Sequence, residues 1–370
     1  MNNSAVHQLV HTLSYGDAIS GEVMSLQYCF REMGFESEIY AINVHPSYKG
    51  QARKYTELDL SYAGRVILHY SIGSPLNRMY EDLSGAHRTL IYHNLTPPEW
   101  FKGINPRIVR EIEAGVAELP QLCRISNSLI ADSTFNLGEL KKLGFSGEVL
   151  ELPVDTRKWK EDRNGGIYSL VKSEPGVHVL HVGRLAPNKC IEDIIKSFYF
   201  LHHHINKQSR LWLVGIDIDT ELYAYSLKRL VQELRLEQAV NFVGCLADSE
   251  VRALYEACSV YLCMSEHEGY CLPLIEAMHF GLPVISYASS AVPETMSDGG
   301  ILLNEKRHAE IAELINYIEE DQDFRNRLVQ AGRDRVKNLS FESFASNVKR
   351  IFCDNPDADL TSSVANQETA

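Results

Sequence analysis

Short apolar runs alternate along most of the chain with stretches whose apolar residues recur every three or four positions. Near the start, "AVHQLV" precedes a glycine-containing loop, "SYGDAISGE". "VMSLQYCFREMG" then carries apolar residues at helical spacing, and "SEIYAI" returns to a short apolar run. That order reads as strand, helix, strand. Further runs at "GRVILHYS", "TLIYH" and "SLIADS" are separated by helical or loop segments, as expected for a parallel α/β sheet. Residues 1–155 are thus expected to form a first domain.

"KEDRNGGIYSLVKS" follows, with a charged start, a Gly pair and little periodicity, and 156–176 therefore reads as a linker. Beyond it the alternation is cleaner. Six strand candidates, "VHVLHVG", "RLWLVGI", "AVNFVG", "SVYLCMS", "PVISY" and "GILLN", are separated by helical segments, which describes a doubly wound sheet over 177–340. Residues 341–355 are expected to form a C-terminal helix able to pack back toward the first domain. The polar residues 356–370 are expected to be a mobile tail. In open α/β sheets ligands sit beyond the carboxyl ends of the strands, so the loops after strands are where chemistry is sought.

A length of 370 residues fits two cores of ordinary size, and 45% hydrophobic with 23% charged residues is average globular usage. No apolar run approaches the roughly 18 residues that span a bilayer, and the first residues lack a signal-peptide pattern, which leads us to expect a cytoplasmic chain without a transmembrane segment. The eight cysteines are dispersed without a Cys-x-x-Cys pair, favouring reduced thiols over disulfides or zinc. A net charge of −13 disfavours nucleic acid or an anionic membrane surface as partner. The first 155 residues carry 13 Lys plus Arg against 18 Asp plus Glu, so strong electrostatic anchoring is not expected there either.

The candidate chemistry centres on "SEHEGYCLPLIEAMHFGLPV" at 265–284, where Glu268 and Glu276 stand eight positions apart. A strand should end near Ser265. Pro273 suits a first helical turn and Gly281 lies just past the end, so "EHEGYCL" is a strand-to-helix loop with Glu276 in the first helical turn. Backbone N–H groups from Gly269 to Leu272 at a helix start attract phosphate, and glycine permits close approach. Carboxylates accept well from vicinal sugar hydroxyls, each charge-assisted bond being worth about 1.5 to 3 kcal/mol. Two carboxylates bracketing an anion site suggest sugar, phosphate and sugar; read alone, Glu276 could equally complement the helix dipole while Glu268 is solvated. "HVGRLAPNKCIEDIIKSF" adds Gly183, Arg184 and Lys189 after a strand, two cations able to reach a diphosphate, though each taken singly reads as an ordinary surface charge. The Gly16 loop after the first strand is a weaker signal, because it lacks Gly-x-Gly-x-x-Gly spacing.

Taken together, "VGRLAPNK", "NFVG", "SEHEGYCLPLIEAMHFGLPVIS" and "VPETMSDGGILL" resemble the donor-binding half of family 4 glycosyltransferases. The resemblance runs over about 178–305 and more loosely over the whole chain. It implies the GT-B fold, two Rossmann-like domains facing each other across a cleft. It further implies that Glu276 holds the ribose of a nucleotide diphosphate sugar, that Glu268 holds a hydroxyl of the transferred hexose, and that Arg184 and Lys189 bind the diphosphate. The amides of Tyr270, Cys271 and Leu272 would add hexose and phosphate contacts, and main chain near Leu246 would meet the base. His93, at the end of "LIYH", matches the family's active-site histidine; its other reading is a buried, satisfied histidine at a strand end. Where the family often has a Gly-Gly pair, Gly16 is followed by Asp17, which either binds acceptor or caps the following helix. "GYC" stands in place of the usual Gly-Phe-Gly.

The activity so implied is retaining transfer of a hexose from a UDP- or GDP-sugar to a sugar or lipid-linked acceptor hydroxyl, in polysaccharide or glycoconjugate biosynthesis, with no cofactor and no metal. Asp217 and Asp219 have the Asp-x-Asp spacing used for manganese on another fold, but the two cations already supply diphosphate neutralisation. His202, His203 and His204 read as a solvated helix end. Alternative readings are a nucleotide-sugar epimerase or sugar phosphorylase on the same fold, and a non-catalytic nucleotide-sugar-binding partner.

Overall fold

The computed structural model of the protein describes residues 5–354, so the tail expected at 356–370 lies outside the described residues. The chain divides into two compact units. The first takes the residues up to Pro98, Arg107–Asp155 and the segment from Phe341; the second takes Glu99–Pro106 and Thr156–Ser340.

The first unit is built on a seven-stranded, all-parallel sheet. Its strands are β1 (Val6–Leu13), β2 (Ile39–Val44), β3 (Arg53–Lys54), β4 (Arg65–Tyr70), β5 (His87–Tyr92), β6 (Ser128–Ala131) and β7 (Glu148–Val149), in the order β3-β2-β1-β4-β5-β6-β7. Five of these are the apolar runs read from the sequence. The pairs β3 and β7 are two residues each at the sheet edges, too short to carry a period. Central strands such as β4 are buried on both faces, which is why they read as continuous apolar runs rather than alternating ones. The C-terminal helix Phe341–Lys349 and the turn after it place Phe344, Val348 and Phe352 in one cluster with Leu26, Phe30 and Ile67 of this unit.

The second unit contains the six strands expected for it: β8 (His178–Val182), β9 (Arg210–Val214), β10 (Val240–Gly244), β11 (Val260–Cys263), β12 (Val284–Tyr287) and β13 (Ile301–Leu303). They form a parallel sheet in the order β10-β9-β8-β11-β12-β13, the doubly wound arrangement. Its core packs Ile191, Ile194, Ile195 and Phe198 of one helix with Leu211, Leu213, Val260 and Leu262 of the sheet.

Two sequence expectations need correction. Residues 156–176 are not an extended linker: Thr156–Trp159 form a 3₁₀ turn and Gly165–Ser173 a helix packed on the helix Asp248–Ala257. The Asn164 side chain caps this helix by accepting from the Ile167 amide at 3.0 Å. The Gly pair that disguised it falls in the first turn, and the helix buries only Val171, so it shows little apolar periodicity. Residues 99–106, expected in the first domain, group instead with the second unit. There Trp100 packs on the core, and Asn105 Nδ2 donates to the Asp219 carbonyl at 3.0 Å.

The ends of β8 and β9 approach so closely that a methyl on Gly215 would lie 1.9 Å from the Gly183 carbonyl oxygen. That oxygen is main chain and cannot swing aside as a side chain would. Gly215→Ala should therefore cost about 1–3 kcal/mol, read as a lower denaturant midpoint for the second unit. A midpoint equal to that of the parent chain would contradict this packing.

Candidate functional site

In the second sheet the chain crosses to β9 on one side of β8 and to β12 on the other side of β11, so the loops after β8 and β11 leave in opposite directions and open a crevice between them. The first loop carries Gly183, Arg184 and a short turn, Pro187–Lys189; the second carries Glu266 to Cys271. Backbone and side chain lace them together. The Glu266 amide donates to the Asn188 carbonyl at 2.9 Å, and Asn188 Nδ2 donates to the His267 carbonyl at 2.9 Å.

Across this seam Lys189 Nζ donates to both carboxylate oxygens of Glu268, at 2.7 and 2.6 Å. The Glu268 side chain is 6% exposed and that of Lys189 22%. Burial opposes the charge on each, yet each holds the other ionised: the ammonium keeps the Glu268 carboxyl below its usual pKa, and the carboxylate keeps Lys189 above its own.

The helix Leu272–His279 starts after Cys271, which has a left-handed φ of 72° and contributes no side-chain cap. Its turn is braced by Thr295 Oγ1 donating to the Tyr270 carbonyl at 2.5 Å and by the Ala291 amide donating to the Glu268 carbonyl at 3.3 Å. Glu276 is the fifth residue of the helix and so stands in its second turn, not the first, because the helix begins at Leu272 and not earlier in the Gly269 loop. Its carboxylate accepts from the Tyr255 hydroxyl at 2.9 Å and from Lys158. Lys158 lies in the segment read as a linker, and nothing in the spacing of Tyr255 or Lys158 marked either as a partner. Arg184 Nη2 donates to the Ile218 carbonyl on the loop after β9, at 2.7 Å. Leu246 is half-buried in the loop between β10 and the helix Asp248–Ala257.

In the first unit Gly16 sits at φ 74° in the loop after β1, a backbone shape that favours glycine. Asp17 caps the helix Ala18–Glu32, its Oδ2 accepting from the Ser20 amide at 2.9 Å and the Ser20 hydroxyl at 2.8 Å. His93 follows β5, and its protonation is set by a chain of hydrogen bonds. Gln8 Nε2 donates to the Val23 carbonyl, which leaves Gln8 Oε1 to accept from His69 Nε2 at 2.9 Å. Burial and the neighbouring His93 hold His69 neutral, so its Nδ1 accepts from His93 Nε2, also at 2.9 Å. The other His93 nitrogen, Nδ1, lies 2.9 Å from Asp132 Oδ2 and 3.4 Å from Glu22 Oε2.

Both ring nitrogens of His93 thus carry protons. Against the cost of burial, Asp132 and then Glu22 raise its pKa to about 9. Burial and Asp132 raise the Glu22 carboxyl, with His93 opposing. With its side chain 1% exposed and both N–H groups directed at protein atoms, His93 is a buried, satisfied imidazolium. Of the two readings of His93, the geometry of this structure matches the buried, satisfied histidine at a strand end. Glu22, His69 and Asp132 escaped the sequence reading because their proximity comes from the order of β1, β4, β5 and β6 in the sheet.

Among the described residues, three groups of side chains bring possible metal-binding atoms within 4.8 Å of one another: Glu22, His69 and His93; Cys263, Glu268 and Cys271; Cys190, Glu192 and Asp193. In the first group the imidazole nitrogens are already engaged, and in the second Lys189 holds both Glu268 oxygens. Asp217 and Asp219 belong to no such group among the described residues.

The family model of glycosyl transferases group 1 matches residues 169–335. O-antigen chain mannosyltransferase B of Escherichia coli is 25% identical over 168 residues, 45% of this chain and 43% of the relative. N-acetyl-alpha-D-glucosaminyl L-malate synthase of Bacillus anthracis is 24% identical over 260 residues, 68% of this chain and 64% of the relative. The chain thus spans less than two thirds of the length of these curated relatives. Among solved structures, sucrose-phosphate synthase from Thermosynechococcus elongatus superimposes with a TM-score of 0.74 at 18% identity, covering 94% of this chain and 98% of the other. The Anabaena protein HepE, solved with UDP and glucose, gives 0.70 at 18% identity over 94% and 99%. The fold is GT-B, and residues 169–335 are similar to the group 1 glycosyl transferases. The resemblance to family 4 read from the motifs is borne out. No helix among the described residues is long and apolar enough to cross a membrane.

Removing Lys189 alone strands a buried carboxylate. Lys189→Met should therefore destabilise the second unit by about 3–5 kcal/mol in chemical denaturation, and Lys189→Met with Glu268→Met should regain most of that. Equal losses in the single and double variants would contradict the pairing. In the first unit the raised pKa of His93 means that the folded state holds a proton the unfolded chain releases above its ordinary value of 6.5. The stability this contributes is full below pH 6.5 and falls as pH rises toward about 9. Glu22, also raised, acts in the same direction. Thermal unfolding of His93→Gln should show a shallower decline over that window than the parent, and an identical decline would refute the imidazolium assignment.

Proposed function

We propose that the protein is a retaining glycosyltransferase that moves a hexose from a UDP- or GDP-sugar to an acceptor hydroxyl. The observation that carries this reading is the ion pair of Lys189 with Glu268 at the crevice between β8 and β11, beside a helix start without a side-chain cap. A cation, a carboxylate and helix-start amides at that place match the parts of a sugar diphosphate: phosphate charge, hydroxyls, and phosphate again. The mannosyltransferase among the relatives and the UDP and glucose held by HepE support a hexose on a nucleotide diphosphate.

In this reading the donor's diphosphate lies near Lys189, Arg184 and the amides from Gly269 to Leu272. Glu268 then accepts from a hexose hydroxyl while keeping its bond to Lys189, which fixes the sugar relative to the leaving group. Glu276, held by Tyr255 and Lys158, accepts from the ribose hydroxyls, and main chain near Leu246 meets the base. As the glycosidic bond to phosphate breaks, negative charge grows on the leaving oxygen, and the cations with the helix start stabilise it. The acceptor oxygen attacks the same face of the sugar, and its proton passes to the departing phosphate oxygen. No protein base is required, and the anomeric configuration is kept. Two cations and a helix terminus supply the neutralisation, so we place no metal in the step. We assign acceptors of the sugar or lipid-linked kind, in polysaccharide or glycoconjugate assembly, an assignment the O-antigen relative supports. Eight free cysteines fit a reducing compartment, the cytoplasm.

Calorimetry against UDP, GDP and their sugars, followed by transfer assays on pooled saccharide acceptors, tests the reading. We expect one nucleotide to bind and the product to keep the donor's anomeric configuration, with turnover undiminished by EDTA. Arg184→Ala should lower kcat about a hundredfold, near 3 kcal/mol, with an unchanged melting temperature. Full activity in that variant, or donor conversion without any acceptor, would overturn the assignment.

A further inference from the structure

We propose that Cys263 and Cys271 are an oxidisable pair that closes into a disulfide around Glu268 when the protein meets hydrogen peroxide. Both thiols are free and buried, and their sulfurs and a Glu268 carboxylate oxygen lie within 4.8 Å of one another. The two residues are the ends of the loop: Cys263 is the last residue of β11 and Cys271 the cap position of the helix Leu272–His279. The thiols are not equivalent. A hydrogen bond from Cys271, with further ones from Ser265, outweighs burial and the neighbouring Glu268 charge at Cys263 and brings its pKa down to about 7. Bonding to Cys263 and burial drive Cys271 the other way. The Cys263 sulfur also lies 3.2 Å from Ser265 Oγ. The two sulfurs are thus unequal, Cys263 shifted toward the thiolate and Cys271 toward the thiol, the division of labour that a two-cysteine oxidation needs.

The thiolate of Cys263 attacks one oxygen of hydrogen peroxide. The S–O bond forms, the O–O bond breaks with its electron pair leaving on hydroxide, and Cys263 becomes a sulfenic acid. The Cys271 thiol then gives up its proton and its sulfur attacks that of Cys263. The S–S bond forms, the S–O bond breaks, and the departing hydroxide takes the proton. One thiolate, one thiol and one peroxide yield one disulfide, one water and one hydroxide, the sulfurs being oxidised and the peroxide oxygens reduced. A disulfide holds its sulfurs about 2.05 Å apart. Closing the gap draws the Cys271 turn toward the end of β11 and tightens the loop that carries Glu268. On the reading given under "Proposed function", that loop holds the sugar diphosphate, so cross-linking should weaken donor binding; the cross-link itself does not depend on that reading.

The test uses the full chain carrying Cys245→Ser, which removes the exposed thiol; because Cys245 adjoins the main chain assigned to the base, the affinity of this variant before oxidation is the reference. After peroxide treatment and alkylation of the remaining thiols under denaturing conditions, unreduced peptide mapping by mass spectrometry should find Cys263 joined to Cys271. Dithiothreitol should return both to the alkylated form. Affinity for the nucleotide that binds the reduced protein should fall about tenfold on oxidation and recover on reduction. Cys263→Ala should abolish both the link and the loss of affinity. Complete alkylation of both thiols after peroxide, or over-oxidation of Cys263 to the sulfinic acid with no link, overturns the proposal, and neither readout requires the variant to fold. A link that forms while no nucleotide or nucleotide sugar binds even the reduced protein upholds the oxidisable pair and overturns the functional reading instead.

Discussion

A buried carboxylate is tolerated only where a cation reaches it, and the pairing of Glu268 with Lys189 meets that demand at the place where the second sheet divides. The pair joins loops from two strands that the chain visits 78 residues apart, β8 ending at Val182 and β11 beginning at Val260. Everything else in the crevice is arranged around it. Asn188 and Glu266 stitch the same two loops through main chain. Lys306 reaches Asp193 at 2.9 Å and Glu266 at 2.7 Å, bracing the helix after the first loop against the start of the second. The result is a charged pair whose two loops are held together by main-chain and Asn188 hydrogen bonds rather than only by two flexible side chains finding each other.

Local backbone shape shows where that constraint is concentrated. Cys190 and Cys271 both adopt a left-handed φ, 47° and 72°, although neither is glycine, and each immediately precedes a helix. Such conformations cost of order 1–3 kcal/mol and persist where surrounding structure over-determines them. Here one strained residue follows Lys189 directly and the other ends the loop of Glu268. The strain allows two helix starts to turn sharply beside the ion pair, bringing the main chain of Tyr270 to Leu272 to the crevice.

The first unit uses the same winding for a different purpose. Its strands β1, β4, β5 and β6 deliver Gln8, His69, His93 and Asp132 to one chain of hydrogen bonds, with the Glu22 carboxyl from the helix after β1 lying 3.4 Å from His93 Nδ1. The cluster is buried, and its net effect is to hold a proton on His93. The cation on His93 is paired with Asp132, and Glu22 of the helix Ala18–Glu32 lies beside it at the sheet ends. Its conditions of stability therefore differ from those of the Lys189 and Glu268 pair: the former weakens as pH rises, the latter as pH falls and the carboxylate is protonated.

Much of this architecture was written in local pattern. Apolar runs buried on both faces of a parallel sheet are continuous, so all six strands of the second unit and five of the first were visible, as was the loop from Glu266 to Cys271 with its proline-led helix. The two-residue edge strands and the helix Gly165–Ser173 were not, because two residues have no period and a helix that buries only Val171 has little apolar stripe. The choice of Glu268, Lys189, Arg184 and Glu276 came from residue type beside strand ends, which the chain's order alone supplies. The partners came from elsewhere: Tyr255 and Lys158 on Glu276, and His69, Asp132 and Glu22 around His93, meet only after strands are ordered in a sheet and helices laid upon it. What the sequence determined by itself was which segments are strands and which strand ends carry charge. Only the tertiary structure decided which charges neutralise one another, because protonation and pairing depend on distances and burial between residues that lie far apart along the chain.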